Sequence, residues 1–84
     1  MSKKEKLIKK LKSKPRDFTF DEAETLATYL GYNRANMGRT SGSKVRFRRK
    51  NGSDILLHKP HPHKELKPYQ INQLIEDLEK ENLI

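Results

Sequence analysis

Cysteine is absent from the sequence, which removes disulfides, thiol nucleophiles and thiolate zinc sites together and leaves the redox compartment open. Long apolar runs are missing too. None exceeds the three residues Ile55-Leu56-Leu57, so no segment is fit to span a bilayer or to form a signal-peptide core. Acidic residues are scarce, 11 against 19 Lys and Arg, giving a formal net charge of +8 and a pI near 9.9. Such a surplus points to a polyanionic partner: nucleic acid first, an anionic membrane or an acidic protein behind it. A soluble, cytoplasmic protein is expected. The 84 residues are enough for one core and too few for two, so residues 1–84 are expected to form a single domain.

The stretch KKEKLIKKLK places Leu7, Ile8 and Leu11 on one thin apolar stripe among lysines, which predicts a basic amphipathic helix within residues 1–14. A second helix is better marked. Thr19 and Glu22 stand at capping-box spacing, with Phe18 and Ala23 at the staple positions. Ala23, Leu26, Ala27 and Leu30 then form one apolar face that ends at Gly31, a natural left-handed cap. YNRANMG is weakly strand-like and runs into a Gly38–Gly42 loop. From Lys44 to Arg48 the pattern has period two, with Val45 and Phe47 facing inward and Lys44, Arg46 and Arg48 outward. Asn51-Gly52 signals a tight two-residue hairpin turn with positive φ, and Asp54–His58 reads as the returning strand. Pro60 and Pro62 then impose an extended loop. Pro68 suits a helix start, followed by Ile71, Leu74, Ile75 and Leu78 on one face. The order of helix, helix, three strands and helix predicts a two-layer α+β domain whose core covers residues 18–82, with one sheet face left free.

That free face is cationic. Alternate strand residues lie about 6.5 to 7 Å apart, near the spacing of successive phosphates, and Arg39, Arg49, Lys50, Lys59 and Lys64 flank the strand in the adjoining turns. His58, His61 and His63 fall close together downstream, and imidazole is the side chain best suited to moving protons near neutral pH. Metal-free RNA cleavage needs a base for the 2′-hydroxyl, an acid for the leaving 5′-oxygen and a cation for the charge on phosphorus. Histidine and lysine supply all three. Zinc would need a closed set of three or four ligands, and no metal is assigned. The alternative for the histidines is a plain exposed loop, and a membrane-binding role fits poorly because the basic residues extend well beyond one helix.

The Gly42-Ser43-X-X-X-Phe47 segment, the Asn51-Gly52 turn and the PHPHKELKP run from Pro60 to Pro68 before a last amphipathic helix resemble the HicA-type toxins. These are small bacterial mRNA interferases held inactive by a HicB-type antitoxin. The resemblance covers roughly residues 20 to 80. It implies the α-β-β-β-α fold of double-stranded-RNA-binding domains, here with an extra basic N-terminal helix, and it implies cleavage of mRNA and a HicB-like partner. The family's Gly-Ser is followed by the catalytic histidine, where this chain has Lys44, and Val45 replaces a second histidine. His61 matches a histidine of the family's PH motif, His63 falls where glycine is usual, and Tyr69 and Gln70 stand where Gly-Thr is common.

The resemblance therefore makes Lys44 and His61 the catalytic candidates. Lys44 suits phosphate binding, and serves as a base where burial or neighbouring cations depress its pKa. Arg39, Lys44, Arg46, Arg48, Lys50, Lys59, His63 and Lys64 are the RNA-binding candidates, with no small-molecule cofactor. The alternative function is an RNA-binding domain of the same fold that has lost the catalytic histidine.

Overall fold

Thr19 opens the helix that fixes the start of the fold. Its hydroxyl accepts from the Glu22 amide at 3.1 Å, and a Glu22 carboxylate oxygen accepts from the Thr19 amide at 3.0 Å, the reciprocal arrangement that satisfies two orphan donors. In this computed structural model, which describes residues 2–35, 44–60 and 63–84, the elements are α1 (Lys3–Lys12), α2 (Phe20–Tyr29), β1 (Asn33–Ala35), β2 (Lys44–Arg48), β3 (Ile55–His58) and α3 (Pro68–Lys80). The strands form one antiparallel sheet in the order β1-β2-β3. The order α-α-β-β-β-α is that of a small α+β fold consistent with double-stranded-RNA-binding domains, carrying a helix in front.

The apolar stripes go where their periods direct them. Ala23, Leu26 and Ala27 of α2, Val45 and Phe47 of β2, Ile55 and Leu57 of β3, and Ile71, Leu74, Ile75 and Leu78 of α3 enter one core. Phe20 and Phe47 bring helix and sheet together, with ring centroids 6.3 Å apart. The basic helix α1 is seated on the same core by Leu7 and Leu11. Lys10 pins it from outside, its Nζ lying 2.9 Å from Glu22 Oε2 and 3.7 Å from Asp17. Burial pushes the Glu22 carboxyl up. Hydrogen bonds from Lys10 and Thr19 outweigh that effect and hold it below the ordinary glutamate range. Gly31 ends α2 at φ +94, a region open to glycine at no steric cost.

The hairpin differs from the two-residue turn expected at Asn51-Gly52. Phe47 pairs with Ile55 and Val45 with Leu57, so the chain between Arg48 and Asp54 forms a longer connection. Among the described glycines Gly31 alone has positive φ. A two-residue turn would pair Phe47 with Leu56, turning Leu56 and His58 toward the core and exposing Ile55 and Leu57. Burying two aliphatics overrides the local turn preference. A Cβ on Gly52 would lie 2.7 Å from Glu81 Oε1, so a side chain there would push aside the carboxylate that accepts from the Ser53 amide. The returning strand begins at Ile55, and Asp54 just before it takes a different role. The Gly38–Gly42 loop falls outside the described residues. Among those described, no helix is long and apolar enough to cross a membrane.

Candidate nucleic-acid interface

β2 is the middle strand, so both its edges are occupied and its outer face is what it presents to a ligand. Lys44 and Arg48 are exposed and Arg46 half-buried on that face, alternating with buried Val45 and Phe47. Across the ladder Lys44 stands opposite His58 and Arg46 opposite Leu56. On the other side Asn33 and Ala35 stand opposite Arg48 and Arg46. The face thus carries three cations, an imidazole and an exposed leucine.

The arginines are already engaged. Arg46 Nη1 lies 3.2 Å from Asp54 Oδ2, and Arg48 reaches both Asp54 oxygens at 3.3 Å through Nε and Nη2. Hydrogen bonding from Arg48, with the charge of Arg46 added, holds the Asp54 carboxyl below its ordinary value. One carboxylate therefore aligns two guanidinium groups on the sheet face and neutralises part of their charge. Lys44 enters no ion pair among the described residues.

The end of β3 is anchored by α3. Gln70 is buried, its Nε2 donating to the His58 carbonyl at 2.9 Å while its Oε1 accepts from the Lys67 amide at 2.9 Å. Beside this latch a cavity of about 170 Å³ opens between β3 and α3, lined by Leu56, His58, Tyr69 and Gln73. Tyr69 is 64% exposed at its rim.

The other candidate residues divide among separate places. Lys59 and Lys64 line a cavity with Phe20, Asp21 and Pro60, where Lys59 Nζ sits 5.9 Å from the Phe20 ring centroid. His63 lines a different cavity of about 570 Å³ with Arg16, Glu65 and Lys67, and Pro60 borders both. This segment is fixed against the entry to α2 by the Phe20 amide donating to the Lys64 carbonyl at 3.0 Å and the Leu66 amide to the Phe18 carbonyl at 2.8 Å. Lys50 stays exposed in the hairpin connection. Arg49 leaves the cationic face: its guanidinium lies 5.8 Å from the Tyr32 ring centroid, over the core side. Arg39 and His61 lie outside the described residues. Among those described, no group of three His, Asp or Glu side chains is gathered as a metal site would require.

Sequence reasoning passed over His58 and Asp54 as parts of this face. The ladder shows them there: with Ile55 and Leu57 inward, the residues that alternate with them share the side of Lys44, Arg46 and Arg48, and the apolar run Ile55-Leu56-Leu57 gives no local signal of that choice.

A family profile described as HicA toxin of bacterial toxin-antitoxin matches residues 20–79, from the first residue of α2 almost to the end of α3. The chain belongs to the HicA toxin family. The matched residues hold the whole sheet and both helices on its inner face, while α1 lies outside the HicA match and is an added cationic element. Neither the curated proteins nor the solved structures contain a match to the chain. The resemblance drawn above implies that the family's catalytic position falls on Lys44, at the start of β2; among the described residues the imidazole directly opposite Lys44 is His58.

Proposed function

We propose that this HicA-family chain is an RNA-binding toxin that cleaves mRNA without a metal, in the cytoplasm, and is held inactive by a HicB-like antitoxin. The observation that carries this reading is the row Lys44, Arg46 and Arg48 on the outer face of β2 within a family of toxins. Phosphates meet the row while Leu56 and Tyr69, both exposed beside it, provide apolar surface on which an unstacked base rests. Lys59, Lys64, His63, Lys50 and Arg39 extend the contact, and Lys44 with His61 forms the catalytic pair implied by the family pattern.

A second reading is favoured by one residue. Lysine at the catalytic position suits a domain that binds RNA and no longer cuts it.

Incubating the pure protein with cellular RNA in chelator separates the two. Discrete fragments that diminish in Lys44→Ala or in His61→Ala support the nuclease, by about 10² to 10⁴-fold for whichever of them is a positioned acid or base. Intact RNA bound at micromolar protein supports the binding domain. Lys44→His is expected to retain or raise cleavage.

A further inference from the structure

We propose that His58 is a catalytic residue of the RNA cleavage proposed above, the imidazole that takes the 2′-hydroxyl proton at a phosphate held by Lys44. The inference rests on the nuclease reading and adds to it a residue that lies across the sheet from the family's catalytic position.

Three observations converge on it. His58 and Lys44 are direct antiparallel partners and both are exposed, so they share one face with Cβ atoms about 4.5 to 5.5 Å apart. Their side chains reach a single phosphodiester from neighbouring strands. The backbone of His58 is held on two sides, by the β2 ladder and by the 2.9 Å hydrogen bond from Gln70 to its carbonyl. A base on such a scaffold is positioned more tightly than one on a loop. Finally, the imidazole has no carboxylate competing for it among the described residues. The groups facing it are Lys44 and, diagonally, Arg46 from β2, and Tyr69 from α3, together with the neutral Gln73. Lys59, next in the chain, turns to Phe20, and Asp54 is held by Arg46 and Arg48.

The step balances within these two side chains, with His58 in the base's role that the family pattern implies for His61. The neutral His58 ring nitrogen accepts the 2′-hydroxyl proton as the 2′-oxygen bonds to phosphorus. The bond from phosphorus to the 5′-oxygen breaks, and its electron pair leaves on that oxygen, which takes a proton from the Lys44 ammonium. The products are a 2′,3′-cyclic phosphate and a 5′-hydroxyl, and exchange with water returns the imidazolium and the amine to their starting states. His63 lines a cavity with Arg16 and Lys67, separate from the one that His58 borders.

The test is single-turnover cleavage of an oligoribonucleotide in chelator between pH 5 and 8, for wild type, His58→Ala and His58→Asn. Affinity for the same oligonucleotide with 2′-O-methyl riboses and the thermal midpoint are measured alongside. Both variants are expected to lose about 10² to 10⁴-fold in rate and to lose the acid limb of the pH profile, with 2′-O-methyl affinity and melting little changed. Wild-type cleavage retained in full by both variants, with the acid limb intact, overturns the inference and leaves the nuclease reading standing. A loss that follows affinity alone also overturns it, because His58 would then only bind. Absence of cleavage by the wild type overturns both.

Discussion

Gln70, the third residue of α3, donates its side-chain amide to the main-chain carbonyl of His58 at 2.9 Å and so ties a helix start to the end of the edge strand. It also accepts from the Lys67 amide, and it is nearly fully buried. Removing it takes away two part-buried hydrogen bonds, to the His58 carbonyl and from the Lys67 amide, at about 0.5–1.5 kcal/mol each. Gln70→Ala is expected to lower the thermal midpoint by several degrees and to speed amide exchange at the beginning of α3. Gln70→Glu keeps the acceptor and loses the donor, so it should destabilise too. A midpoint unchanged in both variants would mean that the latch does not hold the strand.

On the proposed RNA-binding reading, Asp54 sets how strongly the sheet face meets phosphate. It already satisfies Arg46 and Arg48, so RNA must share or displace it. Each phosphate contact with a single strand contributes about −0.7 to the slope of log K against log salt. Asp54→Asn is expected to tighten RNA binding at low salt and to steepen the slope by about one contact. Replacing Arg46 and Arg48 by alanine should flatten it by about one to two units. Unchanged slopes in all these variants would remove β2 from the binding surface.

Phe47 and Arg46 are adjacent and opposite in role. Phe47 is buried against Phe20, whereas Arg46 lies on the outer face. Phe47→Ala should cost on the order of 3–5 kcal/mol, enough to unfold much of a domain this small. Arg46→Ala should cost far less. Urea unfolding of the two variants checks the register, and a reversed order would place the wrong face inward.

Much of this fold is legible before folding. The Thr19–Glu22 capping box, the four-residue apolar faces of α2 and α3, and the alternation through β2 all declare themselves within a few residues. What local pattern does not reveal is the pairing of β3. Ile55-Leu56-Leu57 is apolar at every position, so the run itself cannot say which members face inward, and Asn51-Gly52 favours a turn that would shift the ladder by one. Burial of Ile55 and Leu57 against residues distant in sequence decides it, and Glu81 at the Ser53 amide and Arg49 over Tyr32 accompany the longer connection. That one-residue difference bears on the proposed catalytic pair, because the two-residue turn would set Lys59 opposite Lys44, and the observed connection sets His58 there. Gln70 is hidden for the same reason, its partner lying on another element.

The Lys10–Glu22 pair makes the seating of α1 depend on pH. The folded Glu22 carboxyl lies below its ordinary value, so its contribution is complete above the unfolded pKa and disappears as pH falls through the folded one. The hydrogen bond to Glu22 raises Lys10 in turn, so that its contribution is lost as pH rises through the folded lysine pKa. The difference in thermal midpoint between wild type and Glu22→Gln is therefore expected to be flat near neutrality and to shrink in acid. A difference that persists at full size below the folded Glu22 pKa would mean that the pair does not couple the helices.

Where RNA lies on the molecule decides the reading as a whole, and amide shift mapping with a non-cleavable 2′-O-methyl oligoribonucleotide answers it directly. The largest changes are expected along Lys44–Arg48, at Leu56 and His58, and at Tyr69 beside the β3 edge. Changes confined to the lysines of α1, with β2 and β3 silent at saturation, would contradict the assignment of the sheet face as the RNA site.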